Sequence, residues 1–305
     1  MQKVMITGGS GLIGRQLTEI LVAGGYKVHW LSRSKKQVPG VAVFLWDIDK
    51  EFIEESAFNE VDVIIHLAGE GIADKRWTAS RKKMIIESRT RSTEFLIKKL
   101  REIPNKVTSV ICASAIGFYA ANTNSIITEE NNSGEGFLSE SVSIWENATK
   151  KFTELPIKLL TLRIGIVLSK NGGAYKELIQ TKSLGVLPLM GNGKQIYSWI
   201  HIEDVCRIIL FLLQNNLSGI YNAVAPAPVS QKHLMRTVKK YSKGFQIIIP
   251  VPAFGLKLVL GEMSNAVLNS QTISGEKILK AGYKFKFPDI YSAIKDLEMS
   301  KGREA

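Results

Sequence analysis

The stretch Thr7-Gly8-Gly9-Ser10-Gly11-Leu12-Ile13-Gly14 decides the reading of this chain. Gly8, Gly11 and Gly14 stand three residues apart. They follow the apolar run Val4-Met5-Ile6 and precede Leu12, Ile13, Leu17, Ile20 and Leu21, which recur at helical spacing until Gly24-Gly25. The pattern predicts a strand, a tight turn and a helix. At such a junction Gly8 permits the turn, Gly11 lets backbone N–H groups approach a pyrophosphate, and Gly14 lets the helix pack closely on the strand. The first helical turn, with Leu12 and Ile13, offers unpaired N–H donors. A glycine-rich loop without a ligand is the alternative, and the flanking periodicity argues against it.

The second predicted strand, Tyr26 to Leu31, runs into Ser32-Arg33-Ser34-Lys35-Lys36. In a dinucleotide fold this point meets the adenosine ribose. A carboxylate here would bind the 2'-OH of NAD, whereas an arginine accommodates the 2'-phosphate of NADP. Arg33, with Ser32 beside it, favours NADP. The alternative is a solvated basic loop.

The remaining apolar runs alternate with helical patterns. Val41 to Trp46 reads as a third strand ending at Asp47, and Asp62 to Gly69 as a fourth. A long helix bearing Met84, Ile85, Phe95, Leu96 and Leu100 follows, then strands at Ser109–Ala113 and Lys158–Arg163. This alternation predicts an α/β fold, a Rossmann-type doubly wound parallel sheet with a smaller C-terminal α/β lobe. Residues 1–170 form the expected dinucleotide-binding domain. Residues 171–305 form mainly the substrate-side lobe, with some segments returning to the core and a strand at Phe245–Ile249. The polar segment Asn122–Glu140 is expected as a loop over the cleft.

Bulk properties narrow the classes. The 305 residues are 45% hydrophobic and 22% charged, an ordinary globular composition. The formal charge of +12 is spread along the chain and not interleaved with aromatics, so neither nucleic acid nor a membrane is an expected partner. No signal peptide precedes the first strand and no apolar run reaches membrane-spanning length, which makes the cytoplasm the expected location. Cys112 and Cys206 sit in apolar stretches and read as buried thiols. Four histidines without ligand spacing predict no metal.

Several further segments, His66-Leu67-Ala68-Gly69-Glu70, Ala113-Ser114-Ala115, Leu162-Arg163 and Trp199-Ile200-His201-Ile202-Glu203-Asp204, join the glycine turn in resembling the extended short-chain dehydrogenase/reductases. The stretches AGEGIADKRWT, ASAIGFY, RIGIVLSKNGGA, SWIHIEDV, YNAVAP and VPAFGLKLVLGEM resemble one atypical branch more closely. That branch is the NADP-binding epimerase family typified by the human family 39U oxidoreductase and its bacterial relatives. The resemblance covers nearly the whole chain, including a small family-specific C-terminal domain at about 250–300. It implies NADP held by the glycine turn, Ser32, Arg33, Leu67, Ala68 and the adjoining Gly69, Arg89 and Ile166. It also points to a homodimer through the long helices after the fourth and fifth strands.

The resemblance also exposes a departure. Ordinary members use a Ser, a Tyr-x-x-x-Lys pair and an Asn, the lysine's charge lowering the tyrosine's pKa for acid/base work. Here Leu138 and Val142 stand at the tyrosine and lysine positions, and Arg89 at the asparagine position. Ser114 remains, with a one-residue ambiguity against Ala115. Replacement acids are Tyr119, five residues beyond Ser114, and Glu70; each has a structural alternative as a hydrogen-bonder. His201 and Asp204 read more readily as helix-capping groups than as catalysts. Trp77, Lys75 and Arg76 either overhang the nicotinamide side or form a surface turn.

Two functions follow. The first is an NADP(H)-dependent oxidoreductase or epimerase-like enzyme acting on a small polar carbonyl or alcohol. Ser114 would position the substrate oxygen, and Tyr119 or water would relay the proton. The second is a catalytically silent NADP-binding regulator or redox sensor.

Overall fold

The computed structural model describes residues 2–123 and 125–299. Asn124 of the expected loop and residues 300–305 of the expected second lobe lie outside that range. The strands are β1 (Lys3–Thr7), β2 (Lys27–Ser32), β3 (Val41–Asp47), β4 (Phe52–Ile53), β5 (Val63–His66), β6 (Ser109–Ala115), β7 (Lys158–Ile164), β8 (Ile166–Leu168), β9 (Val186–Met190), β10 (Ile196–Tyr197), β11 (Trp199–His201), β12 (Gly219–Ala223), β13 (Val229–Ser230) and β14 (Ile247–Val251). The helices are α1 (Leu12–Ala23), α2 (Ala79–Glu102), α3 (Phe137–Lys150), α4 (Gly173–Leu178), α5 (Ile202–Gln214), α6 (Gln231–Tyr241), α7 (Ala253–Leu260), α8 (Ser264–Leu268), α9 (Glu276–Lys280) and α10 (Ile290–Met299).

Eight strands form the main sheet in the order β12-β7-β6-β5-β1-β2-β3-β4. Every pairing in it is parallel except β3 with β4. The chain winds one way from β1 through β2 and β3, and the other way through β5, β6 and β7. The switch therefore lies between β1 and β5, where such sheets open a crevice at their carboxyl ends.

Both faces of this sheet are covered, which explains why its strands read as continuous apolar runs. Val4, Ile6, Val63, Ile65 and Ile111 point to one layer with Leu17, Leu21, Ile208 and Leu212 of α1 and α5. Met5, Ile64, Val110 and Cys112 point to the other, with Phe95, Leu96 and Leu100 of α2. Thus α5 and β12, both from beyond residue 170, complete the first unit. The second unit holds the two-stranded pairs β9/β14 and β10/β13 over a core that includes Leu234 and Val238 of α6 and Ile290, Ile294 and Leu297 of α10.

Two expectations need correction. The loop drawn over 122–140 ends sooner, because α3 begins at Phe137 after Gly136, whose φ of 84° sets the entry. The same segment is pinned along residues 270–274: Asn122 N–H donates to the Ser270 carbonyl at 2.7 Å and Ile127 N–H to the Thr272 carbonyl at 2.8 Å. The strand placed at Phe245–Ile249 instead occupies Ile247–Val251, in register with β9 from Val186 to Met190. Phe245 is left 79% exposed. Cys112 and Cys206 are buried, unpaired thiols, as expected. Among the described residues no helix is long and apolar enough to cross a membrane.

Candidate functional site at the carboxyl ends of β1, β5 and β6

The glycine turn occupies the switch point. Gly8 adopts a φ of +72°, and a Cβ there would stand 2.9 Å from the Leu67 carbonyl at the end of β5. At Gly14 a Cβ would fall 2.4 Å from the Gly8 carbonyl oxygen, so only glycine lets α1 sit on the turn. Gly11 is the N-cap of α1 and supplies no side-chain acceptor. The N–H groups of the first turn, including those of Leu12 and Ile13, therefore face the crevice without a cap. Sheet geometry thus builds an anion cradle of backbone donors between two strand ends.

A buried relay ties those strand ends together. Thr7 and His66 are register partners on β1 and β5. Leu67 and Ala68 each donate a backbone N–H to Thr7 Oγ1 at 3.2 Å. With its lone pairs so engaged, the Thr7 hydroxyl donates to His66 Nδ1 at 2.7 Å. His66 Nε2 then donates to Thr93 Oγ1 at 3.0 Å, and Thr93 donates to the Arg89 carbonyl at 2.7 Å. The hydrogen-bond directions assign His66 as the neutral Nε2–H tautomer. Burial enforces the same state, since it pushes the imidazole down to about 4.

Arg89 closes the floor beyond β5. Its Nη2 donates to the Glu70 carbonyl and its Nη1 to the Ile85 carbonyl, both at 2.9 Å. Its guanidinium lies 5.0 Å from the Trp145 ring, and a Cβ on Gly69 would reach its side chain at 3.1 Å. Burial pushes Arg89 down to about 10, which leaves it charged at neutral pH. The Glu70 carboxylate pairs with Arg81 Nη1 at 3.2 Å.

At the tip of β2, Ser32 is half-buried and Arg33 exposed. Ser32 Oγ accepts from the Ser34 N–H at 3.3 Å. Lys35 is bound to Glu54 and lies over Phe44, whereas Arg33 has no ion-pair partner among the described residues. Ile166 opens β8 just past β7, at the same end of the sheet, and donates its N–H to the Ser198 carbonyl at 2.9 Å.

Tyr119, the expected substitute acid, is enclosed at the exit of β6. Its ring is 1% exposed, its hydroxyl donates to Asn222 Oδ1 at 2.7 Å, and the same oxygen accepts from Arg163 Nη1 at 2.8 Å. Burial raises its pKa against the opposing pull of Arg163 and Asn222. Ser114 is also committed, donating to Glu146 Oε1 at 2.5 Å. Arg163 grips that carboxylate through Nε at 2.8 Å and Nη2 at 2.7 Å. Burial opposes the guanidinium's charge, but its bonds to Glu146 and Tyr119 outweigh burial and raise its pKa. Glu146 and Arg163 thus hold both candidate hydroxyls, and Glu146 carries no signal in the sequence motifs.

Leu138 and Val142 of α3 face the exit of β6, where a Cβ on Gly117 would meet them at 3.7 and 3.8 Å. The wall there is apolar. Trp77 is buried edge-on to Phe137, with ring centroids 4.9 Å apart, and belongs to the same cluster as Leu138. Its indole is packed inward, whereas Lys75 and Arg76 before it are exposed. Arg76 packs against Gly261. His201 caps α5, its Nδ1 accepting from the Glu203 N–H at 3.2 Å. The fully buried Asp204 accepts from Tyr283 OH at 2.6 Å and from the Lys286 and Phe287 N–H groups at 2.9 Å. Both are structural, and among the described residues no group of His, Cys, Asp and Glu could hold a metal ion.

Comparison with known proteins agrees with this geometry. The profile of the NAD dependent epimerase/dehydratase family matches residues 4–223, from the first strand to the last strand of the main sheet. The chain belongs to that family. A domain of unknown function, DUF1731, matches residues 251–297, which hold α7 to α10 up to Leu297. This family member is 32% identical to the Bacillus subtilis epimerase family protein YfhF over 301 residues, covering 96% of this chain and 97% of the relative. It is 30% identical to mouse epimerase family protein SDR39U1, covering 97% and 99% of the two chains. The structure of human SDR39U1 (isoform 2) with NADPH superposes with a TM-score of 0.87 at 27% identity, covering 97% of this chain and 99% of that one. Bacillus cereus UDP-N-acetylglucosamine 4-epimerase, at 16% identity and a TM-score of 0.77 over 98% and 96% of the chains, shares the fold. Within that fold, this epimerase-family chain places Leu138 and Val142 of α3 beside Gly117 at the exit of β6.

Proposed function

We propose that this epimerase-family protein is an NADP(H)-dependent oxidoreductase or epimerase-like enzyme acting on a small polar carbonyl or alcohol. The observation that carries the reading is the uncapped cradle at Gly8, Gly11 and Gly14 combined with an exposed, unpaired Arg33 at the tip of β2. Leu12 and Ile13 would give backbone donors to the pyrophosphate, and Ser32 and Arg33 would take the 2'-phosphate. Leu67, Ala68 and Gly69 would line the crevice, held by Thr7 and His66, with Arg89 below and Ile166 at the far side. Bound NADP(H) supplies hydride donation or acceptance. Ser114 and Tyr119 act as positioning residues that hold Arg163 and Glu146 beneath the exit of β6, and the proton exchanges with water.

The test is titration with NADPH and NADH by cofactor fluorescence, for wild type and Arg33→Ala. Loss of a charge-assisted contact worth about 1.5–3 kcal/mol should weaken NADPH by roughly 10- to 100-fold. NADH affinity should not move. Equal binding of both cofactors by the wild type would remove the NADP assignment.

A second reading, a catalytically silent NADP-binding regulator, is favoured by one observation. Ser114, Tyr119 and Glu70 are all committed to protein partners. A screen of carbonyls and alcohols against the NADPH complex separates the two readings, since only an enzyme changes cofactor absorbance with substrate.

A further inference from the structure

The helix α6 has the sequence QKHLMRTVKKY, which places His233, Arg236 and Lys240 at i, i+3 and i+7 on one face, opposite the buried Leu234 and Val238. The neighbouring α10 brings Tyr291 to the same face. Together with Thr237 these residues line a recess of about 310 Å³. None of its lining residues belongs to the main sheet or to the glycine turn.

Its chemistry is one-sided. The rings of His233 and Tyr291 stand 5.3 Å apart at 69°, and Lys240 Nζ is 5.5 Å from the Tyr291 ring centroid. Among the described residues no carboxylate lines the recess. Elsewhere exposed lysines find acids, as in Lys35–Glu54, Lys98–Glu51, Lys106–Glu60 and Lys151–Glu94. Arg236 and Lys240 have no such partner among the described residues, although like charges at i, i+4 repel by a few tenths of a kcal/mol, roughly. His233 Nε2 is enclosed and has no hydrogen-bond partner. Thr237 Oγ1 is committed to the His233 carbonyl at 3.0 Å. The charged groups adjoining these are Lys232 and Lys239 on α6, Lys295 one turn beyond Tyr291 on α10, and Asp289 just before α10, whose carboxylate caps the Tyr291 and Ser292 N–H groups at 2.9 and 3.0 Å.

We propose that the recess between α6 and α10 binds the phosphate group of a small phosphorylated metabolite, held by Arg236 and Lys240 with the His233 and Tyr291 rings against the rest of the ligand. A guanidinium fork and an ammonium lining one recess match a tetrahedral dianion with several acceptor oxygens better than a planar carboxylate. A single recess with one exposed ring fits a small ligand, not a nucleic-acid strand, which needs a track of cations and stacking rings. Because α6 and α10 share the core of the second unit, the bound anion braces one helix on the other.

The experiment titrates the full chain with inorganic phosphate and with glucose 6-phosphate, by calorimetry and thermal unfolding, against chloride at matched ionic strength. It is run with and without saturating NADPH, so that the 2'-phosphate site at Arg33 is distinguished. Saturable binding and a rise in Tm are expected, both weakened at least tenfold in Arg236→Ala/Lys240→Ala and retained in Arg33→Ala and in Arg236→Lys/Lys240→Arg. A stronger effect of the ester than of inorganic phosphate supports a metabolite as the source, and equal effects support free phosphate. Absence of saturable binding, or binding that survives Arg236→Ala/Lys240→Ala, overturns the proposal.

Discussion

Arg163 on β7 holds Glu146 on α3 through two parallel bonds, Nε to Oε1 at 2.8 Å and Nη2 to Oε2 at 2.7 Å, with the guanidinium side chain 3% and the carboxylate side chain 13% exposed. This pair locks α3 to the sheet beneath the exit of β6. It also occupies the two hydroxyls, of Ser114 and Tyr119, that a conventional active site would leave open.

Removing one partner of such a pair strands the other. Glu146→Gln should cost about 3–5 kcal/mol of unfolding free energy in urea titrations. Tyr119→Phe removes one hydroxyl from Asn222 and Arg163 and should cost about 1–3 kcal/mol. Cofactor affinity of the Tyr119→Phe protein should stay within about twofold of wild type. A collapse of turnover in that variant without loss of stability would restore Tyr119 as the proton donor.

The pH dependence follows from His66. Its folded pKa, about 4, lies below the ordinary 6.5, so the unfolded chain binds the proton first as pH falls. The stabilising contribution is present above pH 6.5 and is lost as pH drops toward 4. It amounts to about 3 kcal/mol over the whole window. Wild type should therefore lose stability between pH 6.5 and 5 by about 2 kcal/mol more than His66→Gln does, read as the difference in urea midpoints. Matching profiles would mean that another group carries the dependence.

At Gly14 the space is already taken. Gly14→Ala drives a Cβ to 2.4 Å from the Gly8 carbonyl. Overpacking of this kind costs about 1–3 kcal/mol. Because the strain falls on the cradle, dinucleotide affinity should drop further than stability alone accounts for. A variant that binds cofactor normally would detach this turn from the binding site.

The thiols supply an independent check on the packing. Burial pushes both Cys112 and Cys206 up, and Cys206 Sγ lies 3.7 Å from the Ile13 carbonyl, between α5 and α1. Neither should react with a thiol reagent in the native protein, and both should react after unfolding.

The sheet was legible in the linear order because its causes are local. Apolar runs broken by glycines mark strands buried on both faces, and three glycines three residues apart mark a junction at which Gly8 and Gly14 leave no room for a Cβ. The exposed Arg33 was legible for the same reason, since a strand end and its next residue are adjacent in the chain. Short pairings such as β3 with β4 were not visible, because two residues carry no periodicity. The fate of the hydroxyls was decided in three dimensions. Ser114 and Tyr119 stand where a sequence places a positioning serine and a substitute acid, yet Glu146, Arg163 and Asn222 arrive from three other elements to occupy them. Likewise, Thr7 and His66 lie 59 residues apart and become one relay only through the parallel register of β1 and β5. Backbone geometry answers to nearest neighbours along the chain, whereas the protonation state and freedom of a polar side chain answer to whatever the fold packs against it.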